Sequence, residues 1–154
     1  MKLLSQFAIA MFGLLAGGML LIATGLVPYW RSLNPGEFTQ VFAASLPTLG
    51  GTMGILTILA TVPIVMAAGF ALWKKEPNRH WITAAAAATL IMLATVPLYF
   101  GAANSLLSGG TLSADVIPAE LTTWGQMHWF RTIVGILGVF CAVRAGFSLQ
   151  NSNS

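Results

Sequence analysis

Long apolar runs separated by short polar stretches dominate this chain. Four runs, at about residues 4–30, 46–73, 81–100 and 124–147, each match or exceed the roughly 20 residues that a helix needs to cross a bilayer. The stretches between them are rich in Asn, Ser, Gly, Pro and charged residues. The pattern therefore predicts an all-α fold, a four-transmembrane-helix bundle that forms a single membrane domain over residues 1–154.

The segment after the first run carries signals for the start of a helix. Asn34 can cap a helix, Pro35 suits the first helical position, and Glu37 follows three residues after the cap. Apolar residues then recur on one side of residues 38–45. We expect a short amphipathic helix at the membrane surface. The same residues can equally form the first turns of the second span, bent at Pro47.

The later connections differ in length. Residues 74–80 form a short polar turn, whereas residues 101–123 are predicted to be a long loop, and loops of that length in compact bundles are often functional. Pro118 and Glu120 suit the first turn of the last helix. Pro63 lies near the middle of the second span and is expected to kink it.

Charge is sparse and unevenly distributed. Charged residues make up 7% of the chain, against about a quarter in soluble domains. We interpret the small net charge of +3 as a signal for how the chain is oriented in the membrane, and not as a nucleic-acid-binding surface. The positive-inside rule places both termini in the cytoplasm. We expect a multi-pass protein of a bacterial inner or plasma membrane, with the lipid bilayer as partner. The basic residues on that side are Lys2, Lys74, Lys75, Arg79 and Arg144.

The start of the last span contains the most informative residues. Trp124, His128 and Arg131 are spaced i, i+4 and i+7, so a helix places all three on one face. Ionisable residues inside membrane spans usually face the protein interior or a watery cavity and are functional candidates. The aromatic and acidic residues also concentrate at this end of the bundle. We therefore predict one outward-facing pocket between the helix ends.

The order of these features resembles the anthrone oxygenase-like family of small four-helix membrane proteins. The resemblance covers nearly the whole chain. It rests on the Trp-x3-His-x2-Arg-Thr pattern from Trp124 to Thr132, with weaker matches at Pro28 and Phe38. It implies a four-helix bundle. It also implies oxygenation of anthrone-type aromatic compounds, as in the few characterised members, although most members have no assigned activity.

Oxygenation of an anthrone needs a base and a group that stabilises the enolate, and it can proceed without a metal. His128 is the candidate base and Arg131 the candidate oxyanion stabiliser. Trp124, Trp30 and Trp129 are candidates for binding a flat aromatic substrate. In the alternative interpretation, the tryptophans form an interfacial belt. Arg131 then pairs with a carboxylate, for which the candidates are Glu37, Asp115 and Glu120.

Other functions stay open at this stage. No ligand spacing indicates a metal site, and no cofactor is predicted, although a bound quinone, pigment or lipid remains open. The chain can also be a non-catalytic accessory subunit of a larger membrane complex. Small-residue faces such as Gly13 with Gly17 suit helix packing within the chain or against other membrane subunits. An enzyme requires His128 and Arg131 to face an enclosed cavity beside the tryptophans.

Overall fold

Four helical rods form the molecule. The computed structural model describes the backbone of residues 2–77 and 79–151 and the side chains of residues 6–77 and 79–146. Four stretches are long and apolar enough to cross a membrane, namely Gln6–Ser32, Pro35–Trp73, Arg79–Ser108 and Ile117–Gly146. The predicted four-helix bundle is thereby confirmed. Its helices are α1 (Lys2–Leu21), α2 (Val27–Ser32), α3 (Pro35–Trp73), α4 (Arg79–Thr95), α5 (Gly101–Ser108) and α6 (Ile117–Asn151).

The predicted amphipathic segment is the beginning of α3 and not a separate helix. The Glu37 backbone N–H donates to the Asn34 side chain at 3.0 Å, so the predicted N-cap is present. Pro47 and Pro63 both lie inside α3, which continues through them. Membrane helices tolerate proline because neighbouring groups compensate for the lost hydrogen bond. The structure therefore agrees with the second alternative from the sequence, in which these residues form the first turns of the second span.

Two π-helical turns continue the first and third rods. Ile22–Leu26 joins α1 to α2, and Val96–Phe100 joins α4 to α5. Pro28 follows the first turn and Pro97 lies in the second. Proline lacks an N–H and its ring crowds the carbonyl four residues earlier, so the helix widens locally and then continues.

The predicted loop over residues 101–123 is wrong at both ends, because residues 101–108 and 117–123 are helical. The third rod runs on through α5 to Ser108, so only residues 109–116 connect it to α6. Gly110 has a φ of 66°, a conformation that favours glycine, and it lies in this connection. Pro118 and Glu120 lie in the first turn of α6, as predicted.

The rods form a closed ring in which α1 and α4 each pack against α3 and α6. The tightest approach is at Gly138, where an added Cβ would lie 2.5 Å from Phe12 Cζ and 2.7 Å from Ala88 Cβ. Only glycine fits this crossing. By contrast, an added Cβ at Gly13 or Gly17 would have nothing within 4 Å. That pair is therefore not used for packing within the described residues.

Buried residues form two clusters along the bundle. The first, which we call the membrane core, includes Ala8, Phe12, Leu15, Ala60, Ile64, Ala85, Met92 and Ala142. The second, which we call the aromatic core, includes Trp30, Phe38, Phe42, Phe100, Leu107, Ile117, Leu121 and Trp124. The aromatic core lies at the end where α3 and α6 begin. We call this end the pocket end.

The exposed surface changes character along α3. Between Pro35 and Gly54 the exposed residues are polar or small, with no large apolar side chain among them. From Ile55 to Trp73 they are apolar apart from Gly69. The apolar part spans about 27 Å at about 1.5 Å per residue, close to the hydrocarbon thickness of about 30 Å. The first half of α3 therefore extends beyond the hydrocarbon region at the pocket end.

Candidate functional site

A cavity of about 70 Å³ lies where the two cores meet, and residues from all four rods line it. Its fully buried walls are Met19, Ile22, Trp30, Phe42, Phe100, Trp124, His128 and Arg131. Its partly exposed walls are Ser45, Leu46, Leu49, Gly50, Met53 and Asn104. The structure thus brings together four of the residues singled out in the sequence, namely Trp30, Trp124, His128 and Arg131.

His128 is held in one orientation between α6 and α1. Its side chain is 2% exposed, and its Nε2 lies 2.9 Å from the Met19 carbonyl oxygen. A carbonyl oxygen only accepts, so this contact assigns the proton to Nε2 and leaves the lone pair of the neutral imidazole on Nδ1. Nδ1 is buried and has no hydrogen-bond partner among the described residues. His128 lines the cavity, and an imidazole whose ring nitrogen has no partner can act as a base toward a ligand that reaches that atom.

Trp124 fixes the His128 ring from one face. The two rings stack with a centroid distance of 4.9 Å and an interplanar angle of 5°. The indole Nε1 donates a hydrogen bond to Asn104 Oδ1 at 2.8 Å, which ties α6 to α5. Trp30 and Phe100 meet Trp124 edge to face at 5.6 and 5.4 Å. The cavity is therefore walled by aromatic rings whose orientations are mutually constrained.

Arg131 is a buried cation without a carboxylate partner. Its side chain is 7% exposed, and its guanidinium carbon lies 4.6 Å from the Phe100 ring centroid. Within the described residues it forms no ion pair and no hydrogen bond, and its Nε is buried without a partner. A cation–π contact compensates only partly for the lost hydration of a buried charge. An anionic or strongly accepting ligand would supply the missing interaction.

The proposed carboxylate partners lie elsewhere. Glu37 is exposed in the first turn of α3, and Asp115 is exposed in the 109–116 connection. Glu120 is half-buried in the first turn of α6, about 16 Å along that helix from Arg131 at about 1.5 Å per residue. Acidic side chains in the first turn of a helix interact favourably with the helix dipole. This interaction explains the positions of Glu37 and Glu120 and does not involve Arg131. Within the described part of the chain, Arg131 forms no ion pair with any of these three acids, which the alternative interpretation requires.

Trp129 is not a wall of the cavity. It follows His128 in the chain, but consecutive helical residues point about 100° apart, and its side chain is 40% exposed on the outer surface. On α6 the large exposed apolar residues begin at Trp129. That position suits an interfacial tryptophan.

Several lining residues were not identified as site residues from the sequence. From the sequence, Phe42 is predicted only to belong to the apolar side of residues 38–45. Phe100 and Asn104 are spaced i, i+4, but this spacing indicates a shared face only in a helix, and the sequence pattern predicts a loop over residues 101–123. The Met19 carbonyl carries no sequence signal, because any residue offers a backbone carbonyl.

Among the described residues, no group of three or more His, Cys, Asp or Glu side chains is placed to hold a metal ion.

No family model, curated protein or solved structure matches this chain. The resemblance to the anthrone oxygenase-like family therefore rests on the residues from Trp124 to Thr132 and on the order of the spans. In the structure these residues are ordered on one helix. Trp124, His128 and Arg131 line the cavity, and the hydroxyl of Thr132 donates to the His128 carbonyl at 2.9 Å.

Proposed function

We propose that this integral membrane protein binds a flat aromatic molecule in the cavity and oxygenates it without a cofactor, as the family resemblance implies. The proposal rests on two residues that line the same cavity and that each carry a buried nitrogen without a partner among the described residues. Within the described residues, His128 offers a buried Nδ1 without a hydrogen-bond partner, and Arg131 offers a buried cation without a counter-ion. Leaving such groups unpaired costs stability, and functional sites are where such costs are usually found.

The two residues have complementary roles in this proposal. His128 removes a proton from the activated C–H of an anthrone-type substrate, and Arg131 stabilises the enolate oxygen that results. Trp124 stacks on the His128 ring, and Phe100 lies against the guanidinium of Arg131. Both aromatic side chains present apolar faces to the substrate. Because both protein groups are fixed before the substrate binds, little reorganisation accompanies proton transfer.

The reaction balances with dioxygen as the only oxidant, because the substrate methylene and one molecule of dioxygen give a carbonyl and one molecule of water. The carbanion formed by the first proton loss adds to dioxygen, and the proton held by His128 returns to give a hydroperoxide. Loss of the second C–H proton with cleavage of the O–O bond forms the carbonyl and expels hydroxide. The hydroxide and that proton leave as water.

Oxygen uptake with 1,8-dihydroxyanthrone tests the proposal, with protein-free discs as the control for spontaneous oxidation. We expect wild-type protein in lipid nanodiscs to accelerate uptake, and His128→Gln and Arg131→Gln each to lower the rate by about 100-fold. Arg144→Gln is the matched control, because Arg144 is exposed and packs over Trp81 at the other end of the bundle. If the wild-type rate equals that of empty discs, the oxygenase proposal with this substrate class is wrong.

An accessory role in a larger membrane complex is the second candidate. It is favoured by the open surface at Gly13 and Gly17, where no described residue packs. Small residues on a lipid-facing helix allow another helix to approach closely. Stoichiometric co-purification of other membrane subunits that is lost on Gly17→Leu would support this role, and purification of the chain without partners would oppose it.

A further inference from the structure

The cavity opens on one side of the bundle. All its partly exposed walls lie on α3, at positions 45–53, except Asn104 on α5. Beyond the cavity toward the pocket end, the aromatic core is closed by buried Phe38, Leu107 and Leu121. In the other direction the membrane core is closed by buried residues such as Ile64 and Met92. Access therefore runs sideways, between α3 and α5, through an opening that we call the mouth.

The mouth lies at the edge of the apolar surface. On α3 the membrane-side end of the mouth is Met53, two residues before the exposed apolar stretch that begins at Ile55. From Met53 the mouth runs about 12 Å toward the pocket end at about 1.5 Å per residue, along the part of α3 that extends beyond the hydrocarbon region. A molecule dissolved in the bilayer would meet the mouth near the boundary between hydrocarbon and headgroups. A molecule dissolved only in water would meet a rim made largely of Leu46, Leu49 and Met53.

The size of the cavity limits how a ligand can lie. A cavity of about 150 Å³ holds a benzene molecule, whereas the space here is about 70 Å³. It therefore accepts the edge of one ring, and the remainder of a fused-ring molecule must lie in the mouth. Gly50 leaves room there, because an added Cβ at this position would have nothing within 4 Å.

The polar groups lie at the inner end of this cavity and the apolar residues lie at its mouth, which is the reverse of the usual arrangement in a pocket that faces water. The unpaired groups of His128 and Arg131 belong to the buried wall, and the mouth is mainly apolar. We propose that the ligand is a membrane-dissolved, acidic, flat aromatic molecule that enters sideways between α3 and α5, acidic edge first. This inference rests on the cavity of the proposed function and adds the ligand's charge, its source and its route.

Two neighbouring glycines provide a matched test of the route. Gly50 and Gly51 are both exposed on α3 and both have open space at the Cβ position, but only Gly50 lines the cavity. Gly50→Leu adds a large side chain at a position that lines the cavity, and Gly51→Leu adds the same side chain at the neighbouring position, which does not. The probe is 9-anthracenecarboxylate, titrated calorimetrically into protein in phosphatidylcholine nanodiscs, with empty discs subtracted.

We expect the wild type and Gly51→Leu to bind the probe with affinities that agree within about twofold, and Gly50→Leu to bind at least about tenfold more weakly. Arg131→Gln should lose a similar amount. The neutral analogue 9-anthracenemethanol should bind the wild type at least about tenfold more weakly than the acid. Undiminished binding by Gly50→Leu would overturn the route, and equal binding of the neutral analogue would overturn the acidic class.

Two further results would also overturn the inference. If the wild type does not bind the probe, the ligand class is wrong. If oleate binds the wild type as tightly as the probe does, the aromatic class is wrong and an ordinary fatty acid is the better occupant. Failure of the proposed oxygenation is distinguishable, because binding that depends on Gly50 and Arg131 without any oxygen uptake leaves the route intact and removes only the reaction.

Discussion

At the scale of single residues, His128 has two separable roles. Nε2 binds the Met19 carbonyl, whereas Nδ1 is free to accept a proton. Gln in place of His128 can retain a donor to Met19 but supplies no base. We expect His128→Gln to keep the free energy of unfolding within about 1 kcal/mol of the wild type, since interhelical hydrogen bonds in membranes contribute about that much.

Alanine at the same position should behave differently. His128→Ala removes the hydrogen bond, leaves a void and exposes a face of Trp124, so we expect a loss of about 2 kcal/mol or more in the free energy of unfolding. Denaturation in mixed detergent micelles measures both variants. Equal stability of the alanine and wild-type proteins would show that the contact with Met19 does not hold α1 to α6.

The helical face of Trp124, His128 and Arg131 could be predicted because residues on one helix have a fixed spacing. The groups that face it could not, because they come from other helices through tertiary packing. Phe100 lies below the guanidinium of Arg131, and Asn104 accepts from Trp124. The sequence also could not place Trp129, since neighbouring residues on a helix share a region of the chain but not a direction.

At the scale of helices, the crossing at Gly138 is the most demanding contact. Alanine there would place a Cβ against Phe12 and Ala88, so we expect Gly138→Ala to lower the free energy of unfolding by about 1–3 kcal/mol. Gly13→Ala is the control. Its Cβ meets open space, and we expect a change within about 0.5 kcal/mol. If both variants unfold alike, the α6 crossing is looser than described.

The lengths of the apolar runs are enough to predict that four helices exist. The residue types at Asn34, Pro35 and Glu37 are enough to predict the N-cap of α3. Helix ends were less predictable where proline intervenes. At Pro97 the third rod widens into a π-helical turn and then continues for two further turns through α5. Residues 101–108 have a polar, glycine-containing composition typical of a loop, and packing of Ala103 and Leu107 into the aromatic core keeps them helical.

At the scale of the whole molecule, the distribution of basic residues predicts orientation. Ser113 lies in the 109–116 connection at the pocket end, and Lys75 lies in the turn at the other end. Cys141 is the single cysteine of the chain. In a Cys141→Ala background, we expect a membrane-impermeant maleimide added to intact cells to label Ser113→Cys but not Lys75→Cys. The reverse labelling would place the mouth on the cytoplasmic side.

The central claim is that the cavity beside Trp124, His128 and Arg131 is built to hold a small aromatic acid. The most direct test is mild detergent purification from native membrane, followed by mass spectrometry of every molecule that co-purifies. We expect a single protein chain with a flat aromatic acid, lost in Arg131→Gln and retained in Arg144→Gln. Stoichiometric membrane subunits and no small molecule, unchanged by Arg131→Gln, would contradict the claim and indicate an accessory subunit.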